Sequence, residues 1–469
     1  MDLSKGRLPA LGMIAVLLAW ESGWAPATAA EVVAGAPAAH TESAGTKCSA
    51  VRAGQPDGSE ALAPPAAPPA EAGVEHGTSH FDVWWRRGLN YRLREIVHLP
   101  WQAEPVDRLH GRFGAQVQVD AAGFAQAGDV HGAHPGVELR RLYLTTTGDF
   151  FLVVPIAYKV QMGFLNGFDI DEFYVRLRHQ PRLPTLTIGQ FTTPVSLNEL
   201  TSSYNTTFME RAAPVQAFVP GRKLGVQLSD PALDKRMTWA FGWFTAGQRE
   251  ATTAATEEVS DLAARVTWCE AASDRPDPRY LFHAGLSGNW VRAQGSDVRY
   301  KARPESFLAG ALVDTGKIDA SNAFNLGIES ATVLGPLVLQ TEYLNAIVRS
   351  HQVGTRHFSG LYFSGNVFLT GESRPYDRDK GVFGRVIPRQ NFSVRERRLG
   401  ALEWGVRYSY LDLDDGPIRG GRMHVLTSGS SWYVNEFLRW QVEYSYAPIS
   451  GGHGDGHLHT VQTRMQLAF

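Results

Sequence analysis

Residues 438–446 read LRWQVEYSY, and residues 402–410 read LEWGVRYSY. In both stretches apolar or aromatic residues alternate with polar or small ones, and a period of two is the spacing of the two faces of a β-strand. The same rhythm runs through residues 113–120 (FGAQVQVD) and through the last nine residues, 461–469 (VQTRMQLAF). Segments rich in Gly, Pro, Asn and Asp separate such stretches, so the sequence predicts an all-β fold of short strands and turns.

About sixteen strands are expected from this pattern, an even number that would close a barrel wide enough for an aqueous channel. The predicted strands begin near His110, Val137, Phe150, Ile170, Pro184, Arg222, Met237, Ser260, Tyr280, Asn322, Pro336, His357, Gly400, Gly421, Phe437 and His457. The intervals 192–221 and 371–399 are then long loops, and long loops of such barrels are expected on the outer face of the membrane.

Two architectures produce this alternation, a soluble sandwich or barrel with an apolar core and a transmembrane barrel with an apolar exterior. Trp and Tyr cluster near the predicted strand ends, where an interfacial girdle requires them. Strands of about 9–11 residues match a tilted crossing of the bilayer. The chain ends in Phe469 on an alternating strand, which resembles the ending of bacterial outer-membrane barrels. We therefore predict a transmembrane antiparallel β-barrel.

Composition excludes several other classes of protein. The 469 residues carry 45 basic and 47 acidic side chains, a formal charge of −2, so no overall field favours a nucleic-acid partner. Only two cysteines occur, Cys48 and Cys269, which rules out a disulfide scaffold. Apart from one run near the N-terminus, no apolar stretch approaches the roughly 20 residues of a membrane helix.

The N-terminal part of the chain has two sections. Lys5 and Arg7 precede an apolar run at 8–20 and small residues at 27–30, which is the order of a secretory signal peptide, predicted at 1–30. Residues 31–80 are rich in Ala and Pro and are expected to form a disordered linker, since they cannot bury enough apolar surface to offset their ordering entropy. The barrel domain is predicted at 81–469.

Several motifs resemble those of the phosphate-selective porin O/P family. The longest is the ordered block at 189–225, with GQFTTPVSLNELTSS at 189–203, TFMER at 207–211 and PGRKLGV at 220–226. Shorter matches are RRLY at 140–143, FLTGESRPY at 368–376 and WYVN at 432–435. The resemblance covers about 108–469. It implies a trimeric sixteen-stranded barrel that passes phosphate or polyphosphate.

Anion passage through such a barrel would need cationic donors along the lumen. Arginine suits phosphate because its guanidinium is always charged and its planar fork matches phosphate oxygens. The polar faces carry Arg112, Arg176, Arg178, Arg407, Arg439 and Arg464, which could form a basic track. The alternative is that they are ordinary wall charges balanced by glutamates on comparable faces, Glu172, Glu329, Glu342, Glu403 and Glu443.

The resemblance also implies where the pore narrows. The interval 192–221 resembles a loop that folds into the barrel, and Arg211 is its obvious cation; Arg140, Arg141 and Tyr143 belong to the same narrow zone. Strict alternation sends only one of two neighbouring arginines inward, so a bulge or a strand end is required for both to serve. Thr192 stands where many members of the family carry Lys, which leaves room for a broader anion porin or a general porin.

These observations predict a passive outer-membrane channel for anions, phosphate or polyphosphate first, with a general or carbohydrate porin as the alternative. The expected partners are small anions, outer-membrane lipid and lipopolysaccharide, and two further copies of the chain. No nucleophile motif, P-loop or zinc-type cysteine pair occurs, so neither enzymatic activity nor a cofactor is expected. His453, His457 and His459 lie in a glycine-rich segment and predict a flexible loop rather than a metal site.

Overall fold

The computed structural model describes residues 80–85, 89–94, 107–151, 154–165, 167–178, 183–245, 254–255, 260–271, 278–293, 297–452 and 454–469. The predicted signal peptide, residues 31–79 of the predicted linker, Cys48 and His453 lie outside these ranges. A hairpin of two strands, His80–Trp85 and Leu89–Arg94, comes first, and its second strand pairs with the first barrel strand. Within the described ranges, no helix has the length and apolarity needed to cross a bilayer.

Sixteen long antiparallel strands of the described chain, β1 to β16, form one closed sheet. Each strand pairs with the next along the chain, and β16 pairs with β1. Closure leaves no unpaired edge in the barrel wall, as a bilayer demands. The strands are β1 Asp107–Gly128, β2 Gly136–Phe151, β3 Pro155–Gly163, β4 Asp169–Leu177, β5 Thr185–Thr192, β6 Arg222–Ala232, β7 Met237–Thr245, β8 Ser260–Ala271, β9 Tyr280–Arg292, β10 Asn322–Leu334, β11 Leu337–Ser350, β12 Gly354–Phe368, β13 Ala401–Asp415, β14 Ile418–Tyr433, β15 Leu438–Ser450 and β16 Gly456–Ala468.

The predicted number of strands is therefore confirmed, and the predicted starts agree closely with the observed ones. The largest difference is at β3, which begins at Pro155 rather than near Phe150. The apolar residues Phe150 and Phe151 are the last two residues of β2. Apolar character alone does not show to which of two successive strands such a residue belongs.

The two faces of the wall are reversed relative to a soluble barrel. On β15 the side chains of Trp440, Val442 and Tyr444 are 46%, 44% and 46% exposed. Their neighbours Arg439 and Gln441 point the other way and are 3% and 2% exposed. Apolar groups outside and charged groups inside suit a wall with lipid on one side and a polar lumen on the other. The transmembrane alternative is confirmed.

The long interval between β5 and β6 folds into the barrel, as predicted. This constriction loop, residues 193–221, contains two short helices, α1 Leu197–Leu200 and α2 Ala213–Phe218. Pro214 lies in the first turn of α2, where its missing N–H costs nothing. The loop is fixed to the far wall by its own amides, since Glu342 of β11 accepts from the Asn198 N–H (2.7 Å) and Glu443 of β15 accepts from the Met209 N–H (2.7 Å).

The two predicted long loops leave opposite ends of the barrel, so the prediction that both lie on the outer face is wrong. The segment 369–400 joins β12 to β13 at the end that holds the C-terminus, where Arg385 donates to the Ala468 carbonyl (2.6 Å). The constriction loop joins β5 to β6, and seven strands separate the two loops, so antiparallel order places them at opposite ends. Loop length predicted the outer face for both loops, but the end of the barrel at which a loop lies depends on the number of strands that precede it.

A third loop, residues 293–321 between β9 and β10, also enters the barrel and was not predicted. Its Glu305 is 1% exposed and accepts from the Ala213 N–H (3.0 Å) and from the Ser409 hydroxyl (2.6 Å). This loop follows β9 and the constriction loop follows β5. These two strands run in the same direction, so both loops leave the same end of the barrel. The interior is thus narrowed from both ends by three loops.

Candidate pore constriction

A β-bulge turns two neighbouring arginines into the lumen. On β2, Arg141 lies opposite Gln118 of β1 and Leu139 lies opposite Val119, so Arg140 is the extra residue between them. A bulge interrupts strict alternation, and here it lets both guanidinium groups face inward. A bulge or a strand end was required for both arginines of the RRLY motif to face the lumen, and the structure has a bulge there.

Arg140 is paired with a carboxylate of the constriction loop. Its Nε and Nη2 donate to Oε1 and Oε2 of Glu210 at 3.0 and 3.1 Å. Glu210 Oε1 also accepts from Nη2 of Arg464 on β16 (2.7 Å), and Arg464 donates in turn to Asp120 of β1 at 2.7 and 2.6 Å. Burial alone would raise the pKa of Glu210, but Arg140, Arg464 and Arg141 together hold this pKa well below its usual range.

An aromatic ring from the third loop completes this side of the constriction. The Phe307 ring lies 3.7 Å from the guanidinium carbon of Arg140 and 4.5 Å from that of Arg303, both measured to the ring centroid. A cation against an aromatic face is stabilised by the ring quadrupole. Burial lowers the pKa of Arg303. Phe307 and Arg303 belong to no recognisable motif, so the sequence did not predict them. Glu210 lies next to Arg211 in the TFMER motif, but no role was predicted for it.

Arg141 differs from Arg140 in its partners. Its Nη1 donates to Gln118 Oε1 (2.6 Å), and Gln118 donates to Gln466 Oε1 (2.6 Å) in a chain of neutral amides. Among the described ion pairs, none joins Arg141 to a carboxylate. Tyr143 follows two residues later on the same face of β2 and lies opposite Gly163 of β3. Both donors that Arg140 uses go to the Glu210 carboxylate, whereas the described hydrogen bond of Arg141 goes to a neutral amide.

Arg211 is held by its own loop. Its guanidinium donates to the carbonyls of Glu199 (2.9 Å) and Thr201 (2.7 Å), and also to that of Asn198. Its Nε lies 3.1 Å from Glu199 Oε2. These carbonyls belong to α1 and its C-terminal end, where cations are favourable because of the helix dipole. The geometry makes Arg211 a clamp on α1.

Three of the six predicted track arginines are buried and have partners. Arg407 of β13 donates from Nε to Glu305 Oε2 (3.0 Å) and packs 4.4 Å from the Phe208 ring centroid. Arg439 of β15 donates to the carbonyls of Thr206 (2.7 Å) and Thr207 (2.9 Å), while Arg464 has the carboxylates described above. These three residues fasten the constriction loop and the third loop to the wall.

The other three, Arg112, Arg176 and Arg178, lie on a different part of the wall and are more accessible. Arg112 of β1 and Arg178, just after β4, are exposed, and Arg176 is half-buried. Arg176 Nε donates to Thr187 Oγ1 (3.1 Å), and Arg178 pairs with Asp149 (2.5 Å). Lys159 of β3 lies between them and pairs with Glu172; it was not predicted. The six arginines thus form two groups and not one track.

A closed sixteen-stranded wall with an apolar exterior, a charged interior and loops folded into its lumen defines an outer-membrane porin. The phosphate-selective porin O and P family matches residues 112–469, and this chain belongs to that family.

The chain is also similar to individual proteins in sequence or in structure. A protein of Caulobacter vibrioides described as uncharacterized is 28% identical over 357 residues, which cover 71% of this chain and 68% of the relative. An anion-selective porin from Comamonas acidovorans is similar in structure, with a TM-score of 0.50, 11% identity, and coverage of 76% of this chain and 99% of that one. The channel DcaP of Acinetobacter baumannii gives a TM-score of 0.47 at 10% identity, with coverage of 77% and 97%.

Proposed function

We propose that this porin carries anions by passive diffusion, with phosphate or polyphosphate as the preferred solute. The observation that carries the proposal is the bulge at Arg140, which lets both Arg140 and Arg141 face inward, together with the hydrogen bond of Arg141 to a neutral amide. A charged guanidinium with unused donors can replace part of the water that phosphate loses on entering the constriction.

The accessible arginines on β1 and β4 extend this path. Arg112 lies on β1, Lys159 on β3 and Arg176 on β4, and Thr147 of the intervening β2 lies opposite both Arg112 and Lys159. Several moderate sites in series allow an anion both to enter and to leave, whereas one deep site would trap it. The family description and the similarity to an anion-selective porin point to the same class of solute.

A general or carbohydrate porin is the second candidate, and a specific observation favours it. Arg374 and Arg407 are matched by Glu403 and Glu305 at 3.0 Å, and Arg464 by Asp120 at 2.6 Å. Such pairs neutralise much of the charge inside the barrel and leave a polar lumen with a weaker preference for anions.

The expected setting is the outer membrane, reached by secretion with removal of residues 1–30. We also propose a homotrimer, the assembly that the resemblance of the sequence motifs to the family implies. The exposed apolar belt, including Trp404 and Trp440, is placed to contact membrane lipid and lipopolysaccharide.

The test is electrophysiology of the purified full-length protein in a planar bilayer. Under a KCl gradient, the reversal potential is expected to report anion preference, and added phosphate is expected to block the chloride current. Weak selectivity without phosphate block would favour the general porin. Cation preference would contradict both the anion proposal and the assignment of Arg141.

A further inference from the structure

Two carboxylates lie directly opposite each other on the lumen face of neighbouring strands. Glu329 of β10 and Glu342 of β11 are a cross-strand pair and are 2% and 1% exposed. Like charges in this position destabilise a sheet, and two carboxylates that share a buried site do not both ionise readily.

The partners of the two carboxylates are unequal. Glu329 Oε1 accepts from Arg265 Nη2 (2.6 Å) and contacts His283 Nε2 (3.0 Å). Glu342 Oε1 accepts from the Asn198 N–H and from the Tyr362 hydroxyl, both at 2.7 Å, and no described ion pair gives it a cation. Glu329 Oε2 is buried and has no hydrogen-bond partner among the described residues. Glu329 therefore has a cation that offsets its charge, whereas Glu342 lies directly across from it on the next strand with no described cation.

This cluster holds two of the inward loops. Glu342 anchors the start of α1 in the constriction loop through Asn198. His283 Nδ1 contacts the Tyr376 hydroxyl (2.6 Å), and Arg265 donates to the Gly381 carbonyl (2.7 Å), so the loop at 369–400 is attached to the same group.

We propose that Glu342 carries a proton while the loops are in place, and that its ionisation as the pH rises sets a second buried negative charge opposite Glu329, which loosens both loops and opens the pore further. The groups that face the pair are Tyr362 of β12, His283 of β9 and Arg265 of β8 from the wall, with Ser196 and Tyr376 from the loops; Arg407 of β13 lines the same cavity as Tyr362. Arg265 alone offsets one negative charge and leaves the second uncompensated. This pH response rests on the proposed function only in requiring that the barrel conducts ions, and it does not depend on which ion the pore prefers.

The informative variant is Glu342→Gln. Its amide oxygen can still accept from Asn198 and Tyr362 and its side chain carries no charge, so it imitates the protonated Glu342 at every pH. Glu270→Gln is the matched control, because Glu270 lies on β8 with a 47% exposed side chain and its ion pair goes to Arg236.

Two measurements test the proposal, single-channel conductance in KCl and amide hydrogen exchange of residues 196–201 corrected for intrinsic rates, each between about pH 5 and about pH 9. In the unmodified protein both are expected to rise with pH, the conductance by about twofold. Glu342→Gln is expected to stay at the low-pH values, and Glu270→Gln to follow the unmodified protein. A flat response in the unmodified protein, an unchanged response in Glu342→Gln, or a lost response in Glu270→Gln would overturn it. Because KCl serves as the electrolyte, failure of phosphate selectivity would leave these outcomes readable.

Discussion

Arg140 and Glu210 form a two-point ion pair, with Nε–Oε1 and Nη2–Oε2 distances of 3.0 and 3.1 Å, that joins the barrel wall to the constriction loop. The pair uses the fork of one bulge arginine and leaves its neighbour Arg141 bonded to an amide. Two adjacent residues of the same type therefore have different partners, one a carboxylate of the loop and the other an amide of the wall, and we propose that the second is available to the solute. The predictions below separate these roles.

Arg141→Ala is expected to weaken phosphate block of the chloride current several-fold, a loss of ~1–2 kcal/mol from charge-assisted hydrogen bonds. The measurement is a phosphate titration of single-channel chloride current. Arg422→Ala is the control, because Arg422 is a half-exposed arginine near the start of β14 that pairs with Asp412. Unchanged anion preference in a triple alanine variant at 140, 141 and 211 would show that the constriction is assigned to the wrong residues.

Glu210→Gln is expected to strengthen phosphate block, because Arg140 loses its carboxylate partner and turns part of its charge toward the solute. The same change leaves a buried guanidinium without its counter-charge, at a cost in the range of about 3–5 kcal/mol when a buried pair is broken. Phosphate titration gives the first effect and thermal unfolding followed by circular dichroism gives the second. A weaker block in a protein that remains folded would contradict the role given to Glu210.

Substitutions of Arg211 distinguish a clamp from an anion ligand. Arg211→Ala is expected to weaken phosphate block indirectly, by releasing the carbonyls of Glu199 and Thr201 and moving α1. Arg211→Lys keeps the charge but not the planar fork, so a clamp predicts loss of block in both variants. If lysine preserves the block that alanine removes, Arg211 acts on the solute directly.

The effect of Glu210 is expected to be constant at moderately acid pH. Its pKa is held well below the ordinary value of 4.5, so its contribution is present above 4.5 and is lost only as the pH falls through the lower folded value. The difference in reversal potential between the unmodified protein and Glu210→Gln should therefore be the same at about pH 7 and about pH 4. A difference that falls by more than about half at the lower pH would mean that Glu210 titrates with its ordinary pKa and is poorly paired.

The alternation at 402–410 and 438–446 determined the β-fold, the number of strands and the two faces of the wall. These properties are local, since a side chain two residues away in a strand lies on the same face whatever the rest of the molecule does. Charge at the polar positions also followed from the sequence: Arg407, Arg439 and Arg464 do point inward. The need for a bulge at Arg140 and Arg141 could be stated in advance because alternation forbids two adjacent inward residues.

Only the tertiary structure decided which of those arginines remain available. Glu305 reaches Arg407 from a loop 102 residues earlier, and Glu210 reaches Arg464 across 254 residues. No periodicity reports such pairings, because they depend on how three loops pack inside a closed wall. The end of the barrel at which 369–400 lies was likewise a matter of strand order and not of loop length. Which face of the wall a side chain occupies depends on its neighbours in the chain. Which charged side chains inside the pore remain without an opposite charge depends on residues that are distant in the chain and close in space.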